Sequence, residues 1–268
     1  MTPDALVRRL RVAEETAREA GRLAQSFLAH PERLAVEMKG PQDFVSAADR
    51  AVERLIVERL ATAFAGDAVF GEESSTHGSL DAAALWIVDP IDGTANFVRN
   101  RPEWVVSIGF LASGRETIGV IYHASSDVLY SALTGFGAMR NGSPIAVSTA
   151  ADLSTATVAL ESSLHVGSTA HLAMIGTLVG LGGEYRRLGS AALSLAHVAD
   201  GRLDGFAEAH LNAWDVAAGI VLVREAGGWT NDFFAGDGLR RGNAMVAATP
   251  GVRDAMLAIA QGARLPVR

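Results

Sequence analysis

Hydrophobic residues recur at helical spacing in two long segments near the start of the chain. Between residues 4 and 29, apolar side chains return every three or four positions, which predicts a single amphipathic helix. A second helix is predicted from about residue 47 to residue 64, with Ser46 or Asp49 as its cap. The residues from Asp43 to this cap indicate an extended segment that enters the helix.

Short apolar runs separated by turn residues follow these helices and are typical of β-strands. The first two runs, at 68–70 and 85–88, are continuous, as expected of buried strands. Between residues 104 and 147 the chain contains further β-rich runs, and Asn141-Gly142 predicts a hairpin turn there. We therefore expect an antiparallel sheet in this part of the chain.

Strand and helix patterns alternate from about residue 151 onward. The predicted elements are strands at 157–160, 185–188 and 204–208 and helices at 168–180, 191–200 and 215–226. This alternation favours an α/β (α+β) fold of layered helices and sheets. Residues 1–150 would supply the helical pair, the antiparallel sheet and most metal ligands, and residues 151–268 the C-terminal α/β part of one compact unit.

The composition is that of a globular enzyme with a sizeable core, since 49% of the 268 residues are hydrophobic and 20% are charged. A formal net charge of −7 argues against direct binding to nucleic acid. The first residues carry charges before any apolar stretch of signal length, and no apolar run is long enough to span a membrane. We therefore expect a cytoplasmic protein without a membrane partner.

An apolar run ends abruptly in two carboxylates, a glycine and a hydroxyl within residues 86–97, Trp-Ile-Val-Asp-Pro-Ile-Asp-Gly-Thr-Ala-Asn-Phe. The strand would deliver Asp89 and Asp92 to its carboxyl end, where open α/β sheets bind ligands. Pro90 would stiffen a turn between them, and Gly93 would let the backbone approach a ligand. The next N–H groups could face an anion at the start of a helical turn. The segment predicts cation ligands beside an anion-binding turn.

Three other segments place acidic residues at predicted strand ends or helix starts. Glu72 and Glu73 follow the strand at 68–70, Asp215 lies in the first turn of the last predicted helix, and Asp49 begins the second helix. Each carboxylate alone has an ordinary explanation as a helix cap or a solvated loop residue. That explanation would have to hold independently four times, so we favour a shared site for metal ions and phosphate.

Hard oxygen ligands favour Mg²⁺, with Mn²⁺ as a possible replacement. The chain contains no cysteine, and its seven histidines lack the paired spacing of a zinc-binding helix, which makes zinc or iron a poor fit. Divalent cations would also attract an anionic substrate to a protein of negative net charge.

Taken together, these segments resemble those of the inositol monophosphatase family of metal-dependent sugar and polyol phosphatases. The resemblance rests on Gly-Glu-Glu-Ser at 71–74, Asp-Pro-Ile-Asp-Gly-Thr at 89–94 and Trp-Asp-Val-Ala-Ala-Gly at 214–219, which occur in the order of the family. It covers nearly the whole chain. It implies the αβαβα sandwich of the inositol monophosphatase and fructose bisphosphatase type, a homodimer, and a magnesium-dependent phosphoric monoester hydrolase with two or three ions.

The ligand set is also implied by the resemblance. One Mg²⁺ would be held by Glu72, Asp89 and the backbone carbonyl of Ile91, and a second by Asp89, Asp92 and Asp215. Asp89 would bridge the two ions. Two ions about 3.5–4 Å apart can clamp the attacking and leaving oxygens of an in-line displacement.

The catalytic residues implied by the resemblance are Glu72, Thr94 and Asp49. Thr94, hydrogen-bonded to Asp49, would act with Glu72 to orient and deprotonate a metal-activated water that attacks phosphorus in line. The backbone N–H groups of Gly93 and Thr94 would hold the remaining phosphate oxygens.

Substrate recognition is expected from a second group of residues. Glu208 stands seven positions before Asp215, at the interval where family members carry a glutamate that binds ring hydroxyls. Ala191, which follows Gly189-Ser190, matches a segment lining the same pocket, and Asp92 and Asp215 would also contact substrate. His210 is a further candidate for this pocket.

We expect a small polyol phosphate such as myo-inositol 1-phosphate as substrate, and two alternative functions remain open. An amino-alcohol phosphate is the alternative, because histidinol-phosphate phosphatases occur in the same family and Glu208 could meet an ammonium group. A regulatory or RNA-processing partner role is known for some family members. An intact ligand set argues against a purely non-catalytic protein.

Overall fold

The computed structural model describes residues 1–40, 43–73, 77–162 and 167–267. Ser74, the last residue of the Gly-Glu-Glu-Ser segment, therefore lies outside the described residues. The α-helices are α1 (Pro3–Leu28), α2 (Ala47–Ala63), α3 (Thr94–Phe97), α4 (Ser168–Gly180), α5 (Ala191–Ala199), α6 (Ala213–Glu225), α7 (Gly238–Arg241) and α8 (Arg253–Gly262).

The strands belong to a short hairpin and two sheets. The hairpin consists of β1 (Glu37–Gly40) and β2 (Asp43–Val45). The first sheet consists of β3 (Ala68–Gly71), β4 (Ala84–Asp92), β5 (Val105–Ala112), β6 (Arg115–His123), β7 (Val128–Leu133), β8 (Ala138–Arg140) and β9 (Ser143–Ile145), in chain order. The second sheet contains β10 (Thr157–Leu160), β11 (Glu184–Arg186), β12 (Gly205–Leu211), β13 (Trp229–Thr230) and β14 (Asn243–Ala248).

Helices α1 and α2 form as the periodicity predicts. Thr2 caps α1, Pro3 begins it, and the small residues on one side of α1 are fully buried against α2 and the first sheet. Ser46 rather than Asp49 is the N-cap of α2, because Asp49 occupies the third helical position and accepts the backbone N–H of Ser46. The two residues therefore form a capping box.

Helices and sheets alternate in layers. Helices α1 and α2 cover one face of the first sheet, α5 and α6 lie between the two sheets, and α4 and α8 cover the outer face of the second sheet. This arrangement confirms the predicted layered α/β (α+β) fold. None of the helices in the described part of the chain combines the length and apolar character needed to cross a bilayer.

Strand β4 runs further than its apolar core predicts. The strand was expected to end at Val88, with a turn at Pro90, but it continues to Asp92. Its pairing with β5 shifts register between Asp89 and Asp92, because proline cannot donate to the ladder and the chain bulges there. The bulge replaces the expected turn and keeps both aspartates at the carboxyl end of the strand.

Helix α6 lies unusually close to the first sheet, which fixes the position of its first turn. A Cβ atom added to Gly109 of β5 would lie 2.7 Å from the Cβ of Ala217, and one added to Gly119 of β6 would meet the backbone of Ala218. Only glycine permits this approach of a helix to two neighbouring strands. The start of α6 is thereby held near the ends of β4 and β5.

The second sheet has the strand order β11-β10-β12-β14-β13. The strand expected at 185–188 lies one or two residues earlier, and the strand expected at 204–208 begins at Gly205 and continues to Leu211. No element was predicted after residue 226, yet β14 lies beside β12 and α8 packs on both. A short apolar run such as β14 carries no periodicity that separates strand from helix, which explains the omission.

Candidate active site

Three carboxylates from distant parts of the chain meet between the two sheets. Asp89, Asp92 and Asp215 each offer a carboxylate oxygen, and these oxygens lie within 4.8 Å of one another. Asp89 and Asp92 come from the carboxyl end of β4, and Asp215 comes from the first turn of α6. The convergence expected from the sequence is therefore present for these three residues.

Asp89 is almost completely buried and lies among several like charges. Burial raises the pKa of Asp89 well above its usual value, and the charges of Glu72, Asp92 and Asp215 raise it further. One of its oxygens accepts the backbone N–H of Ile91 at 3.0 Å. A buried carboxylate among like charges destabilises the fold unless a cation compensates its charge.

Glu72 lies beside this group because β3 runs parallel to β4 and ends at the same edge of the sheet. Phe70 of β3 packs edge-on against Trp214, with ring centroids 5.2 Å apart, so the end of β3 is tied to the start of α6. The buried carboxylate of Glu53 accepts the backbone N–H of Glu73 at 2.8 Å. These contacts define the path of the chain on both sides of Glu72.

Asp92 is buried but well supplied with donors. Its Oδ2 atom accepts hydrogen bonds from the Ser190 hydroxyl and, at 2.8 Å, from the backbone N–H of Ala192. Burial raises the pKa of Asp92 to about 6, and the bonds from Ser190 and Ala192 oppose that rise. The start of α5 thus orients this carboxylate.

Asp215 serves as part of a helix cap as well as part of the acidic group. Burial raises the pKa of Asp215 to about 8, followed by the charge of Asp92, while a hydrogen bond from the backbone N–H of Asn212 at 2.7 Å lowers it. Asn212 is the N-cap of α6, so Asp215 completes a capping box. Only one of its oxygens is used for capping.

These carboxylates suit a hard divalent cation. All three offer oxygen atoms, which Mg²⁺ and Mn²⁺ prefer, and their close approach places like charges together in a poorly solvated site. A bound cation would reverse the electrostatic penalty that raises the three pKa values. The donor chemistry therefore fits the predicted metal.

Thr94 stands between Asp49 and the acidic group. Its hydroxyl lies 3.2 Å from Oδ1 of Asp49 and 3.0 Å from the carbonyl oxygen of Ile91. The other oxygen of Asp49 accepts both the backbone N–H and the hydroxyl of Ser46, and burial raises the pKa of Asp49. Asp49 is therefore rigidly held, with one oxygen directed at Thr94.

Gly93 makes the sharp change of direction before α3 possible. Its φ of 95° lies in the left-handed region, and an added Cβ would lie 2.7 Å from the carbonyl oxygen of Glu103. A residue with a side chain would be strained and would push the loop away. The glycine predicted to allow close approach of the backbone is thus required for the turn itself.

The residues expected to bind the alcohol half of the substrate lie on the second sheet and α5. Glu208 on β12 is 6% exposed, and burial raises its pKa well above the usual value, followed by the charges of Glu161 and Asp215. Ala191 is the buried first residue of α5. His210 lies on β12 with its imidazole packed against the backbone of Gly242.

Glu161 is a further buried acid of this region, and it was not among the residues expected from the sequence. Glu161 follows β10, is 3% exposed, and accepts the backbone N–H groups of Leu188 and Gly189. It carries the same signal that identified Glu72 and Asp89, namely an acidic residue directly after a buried strand.

Comparison with known proteins shows that the chain is similar to members of the inositol monophosphatase family. The model of the inositol monophosphatase family matches residues 6–263. The protein named Nus factor SuhB of Escherichia coli strain K12 is 38% identical over 251 residues, which cover 93% of this chain and 94% of that protein. The inositol-1-monophosphatase of Rhizobium meliloti is 39% identical over 226 residues, covering 83% and 85% of the two chains.

Solved structures show the same similarity. The inositol monophosphatase from Anabaena superposes with a TM-score of 0.83 at 33% identity and covers 98% of both chains. The extragenic suppressor protein suhB from Bartonella henselae superposes with a TM-score of 0.86 at 35% identity, covering 95% of this chain and 97% of its own.

Proposed function

This chain belongs to the inositol monophosphatase family, and we propose that it is a magnesium-dependent phosphomonoesterase that hydrolyses a small polyol phosphate such as myo-inositol 1-phosphate. The observation that carries this proposal is the convergence of Asp89, Asp92 and Asp215 in a poorly solvated site. Carboxylates with raised pKa values, gathered in one place, are typical of a functional site rather than of helix capping.

In this proposal, Glu72, Asp89 and the carbonyl oxygen of Ile91 hold one ion, and Asp89, Asp92 and Asp215 hold a second. The Thr94 hydroxyl lies 3.0 Å from the carbonyl oxygen of Ile91, but its single proton is directed to Asp49 in this proposal, so the lone pairs of that carbonyl remain available to the ion. When bound, the ions offset the charge of the phosphate and make water more acidic. Mn²⁺ would serve in the same site.

Thr94, Asp49 and Glu72 form the proton-handling group of the proposed mechanism. Ser46 fixes Asp49, so the Thr94 hydroxyl can donate a hydrogen bond to Oδ1 of Asp49 and accept one from the attacking water. Glu72 takes the proton that this water loses. The attack is in line with the leaving oxygen, and no side chain becomes phosphorylated.

In this proposal the phosphate and the polyol of the substrate are recognised by different residues. The left-handed turn at Gly93 brings the N–H groups of Gly93 and Thr94 to the phosphate oxygens. Glu208 accepts hydrogen bonds from hydroxyl groups of the polyol, and Ala191 lines the same pocket. The charge of Asp215 contributes to the raised pKa of Glu208, which supports the assignment of Glu208 to the edge of the site.

Two alternatives follow from particular observations. Glu208 is a buried acid that could meet an ammonium group, which favours an amino-alcohol phosphate such as histidinol phosphate as a second candidate substrate. The relatives named Nus factor SuhB favour a regulatory role as a second candidate function. In either case the small phosphorylated ligand, rather than nucleic acid, would bind at the acidic site.

A homodimer is also part of the proposal. Helix α4 exposes Leu172 and Val179 by 63% and 59%, and Leu181 directly after the helix by 51%. Apolar side chains grouped in this way favour contact with a second copy of the chain. Light scattering of the purified protein would distinguish a dimer from a monomer.

Release of inorganic phosphate tests the proposed function. The protein is assayed with myo-inositol 1-phosphate, histidinol phosphate, fructose 1,6-bisphosphate and adenosine bisphosphate, with Mg²⁺ and then with a chelator. We expect metal-dependent turnover that is fastest on a monophosphate, and loss of that turnover in Asp89→Asn. Phosphate release that survives both chelation and Asp89→Asn, or no release from any of these esters, would contradict the proposal.

A further inference from the structure

The turn between β11 and α5, together with the first turn of α5, carries the two groups that orient Asp92. Ser190 donates its hydroxyl to Oδ2 of Asp92 and is the N-cap of α5, and the backbone N–H of Ala192 bonds the same oxygen. The direction of this carboxylate therefore depends on where the backbone at 188–190 lies. A displacement of the turn would move both donors together.

Glu161 holds one side of this turn. Its Oε1 atom accepts the backbone N–H of Leu188 at 2.7 Å and that of Gly189 at 3.1 Å, and its Oε2 lies 3.2 Å from the same Gly189 nitrogen. The Ser194 hydroxyl, one turn into α5, lies 3.4 Å from Oε1 of Glu161 and nearer, at 2.9 Å, to the carbonyl oxygen of Ser190. A buried carboxylate is costly to desolvate, so its several donors indicate a fixed position.

Asn96 holds the opposite side of the same turn. Its Nδ2 atom donates to the carbonyl oxygen of Leu188 at 2.8 Å and to that of Glu103, also at 2.8 Å. Gly189 has a φ of 75°, and an added Cβ would lie 3.1 Å from Nδ2 of Asn96. Glu161 thus accepts the N–H groups of the peptides on both sides of Leu188, and Asn96 donates to the carbonyl oxygen of the second of these peptides.

We propose that Glu161 and Asn96 are positioning residues that clamp the turn at 188–190 from two sides and thereby set the orientation of Asp92 for metal binding. This inference rests on the proposed function, because it gives Asp92 the role of a metal ligand. Neither residue belongs to the ligand or catalytic set assigned above. Glu161 directly follows β10 of the second sheet, and Asn96 lies in α3, shortly after β4 of the first sheet, so the clamp connects segments that follow a strand of each sheet.

If Glu161 and Asn96 act as a clamp, substitutions that remove its hydrogen bonds should weaken metal binding even where they remove no charge. If these residues acted only through charge, substitution of an uncharged residue such as Asn96 would have no effect. Asn96→Ala removes no charge, but it frees the carbonyl of Leu188 and should weaken metal binding. Glu161→Ala should do the same by freeing two N–H groups. Glu161→Gln removes the charge but retains an acceptor oxygen, so we expect it to keep most of the affinity.

Binding of Mn²⁺ to the metal-free protein is the direct measurement, followed through the electron paramagnetic resonance signal of the free ion. We expect Glu161→Ala and Asn96→Ala to weaken binding about 10–100-fold, the usual effect of residues that orient metal ligands. The Mg²⁺ concentration for half-maximal turnover should rise in parallel, with most of kcat recovered at saturating metal. A merely structural defect would instead lower the active fraction and leave the metal affinity of that fraction unchanged.

Asp204→Asn provides a matched control. Asp204 is also a buried acid, directly before β12 of the second sheet, and it accepts the backbone N–H of Thr157 at 2.6 Å, but it lies at the opposite end of β10 from Glu161. We expect this variant to lose stability without a change in Mn²⁺ affinity. Thermal unfolding of all four variants identifies any that fail to fold.

The outcomes separate the clamp from the proposed function. If the wild-type protein neither binds Mn²⁺ nor shows metal-dependent turnover, the proposed function fails. If the wild type binds Mn²⁺ and both alanine variants bind it equally well, the clamp is overturned. It is also overturned if Glu161→Gln weakens binding as much as Glu161→Ala while Asn96→Ala binds like wild type, because the effect would then follow charge alone.

Discussion

Replacing Asp215 with asparagine should stabilise the metal-free protein while abolishing turnover. Asparagine has nearly the same shape and retains an oxygen that can accept the backbone N–H of Asn212, so the cap of α6 is preserved. It removes a charge that is held close to the buried carboxylates of Asp89 and Asp92. The variant therefore separates the contribution of Asp215 to function from its contribution to folding.

The size of the effect follows from the raised pKa of Asp215. Its pKa rises from 3.8 to about 8, so the folded protein retains a proton that the unfolded chain loses. The contribution of this retained proton to the free energy of unfolding is fully present below about pH 4 and is lost as the pH rises towards 8. The full shift corresponds to at most about 6 kcal/mol at pH 8. Because the side chain of Asp215 is partly exposed, we expect about 2 kcal/mol.

Thermal unfolding in the presence of a chelator measures this difference. At pH 8 the midpoint of Asp215→Asn should exceed that of wild type by about 4–8 °C, and the difference should shrink at pH 4.5. Added Mg²⁺ should raise the midpoint of wild type more than that of the variant. Asp254→Asn, in the exposed first turn of α8, is the matched control and should not gain stability. A lower midpoint for Asp215→Asn at pH 8 without metal would refute this reasoning.

Three further substitutions test other parts of the site. Thr94→Val removes the hydroxyl that faces Asp49 and should lower kcat about 10²–10⁴-fold with little change in KM, whereas an unchanged steady-state kcat would exclude its catalytic role. Glu208→Gln should change the ratio of kcat/KM values between polyol and amino-alcohol phosphates; an equal change for every ester would show that it does not select the substrate. Gly71→Ala would place a Cβ against the carboxylate of Glu53 and displace the chain before Glu72, so half-maximal turnover should need more Mg²⁺. An unaltered metal requirement would argue against a role of this packing in positioning Glu72.

Elements with strong local patterns were predictable from the sequence. The helix expected at 168–180 and the strand expected at 157–160 have the same bounds in the structure, because apolar spacing and flanking turn residues both mark them. Strand β14 was not predictable in this way. It pairs with β12, more than thirty residues earlier in the chain, and a short buried run contains no local information about that partner.

The candidate site shows a similar division. Asp89, Asp92 and Asp215 could be expected to converge because each lies at a strand end or at the start of a helix. Their supporting contacts could not be expected, because the donors to Asp92 come from Ser190 and Ala192, about one hundred positions further along the chain. Such contacts depend on how the two sheets pack, which no local pattern encodes.

A crystal structure of the protein soaked in Mn²⁺, with anomalous diffraction used to locate the ions, tests the proposed metal site directly. We expect two manganese peaks about 3.5–4 Å apart, with Asp89 contacting both and with Asp92 and Asp215 contacting one of them. Peaks located elsewhere on the protein, or no manganese among these three carboxylates at saturating concentration, would contradict the central claim that they form a site for hard divalent cations.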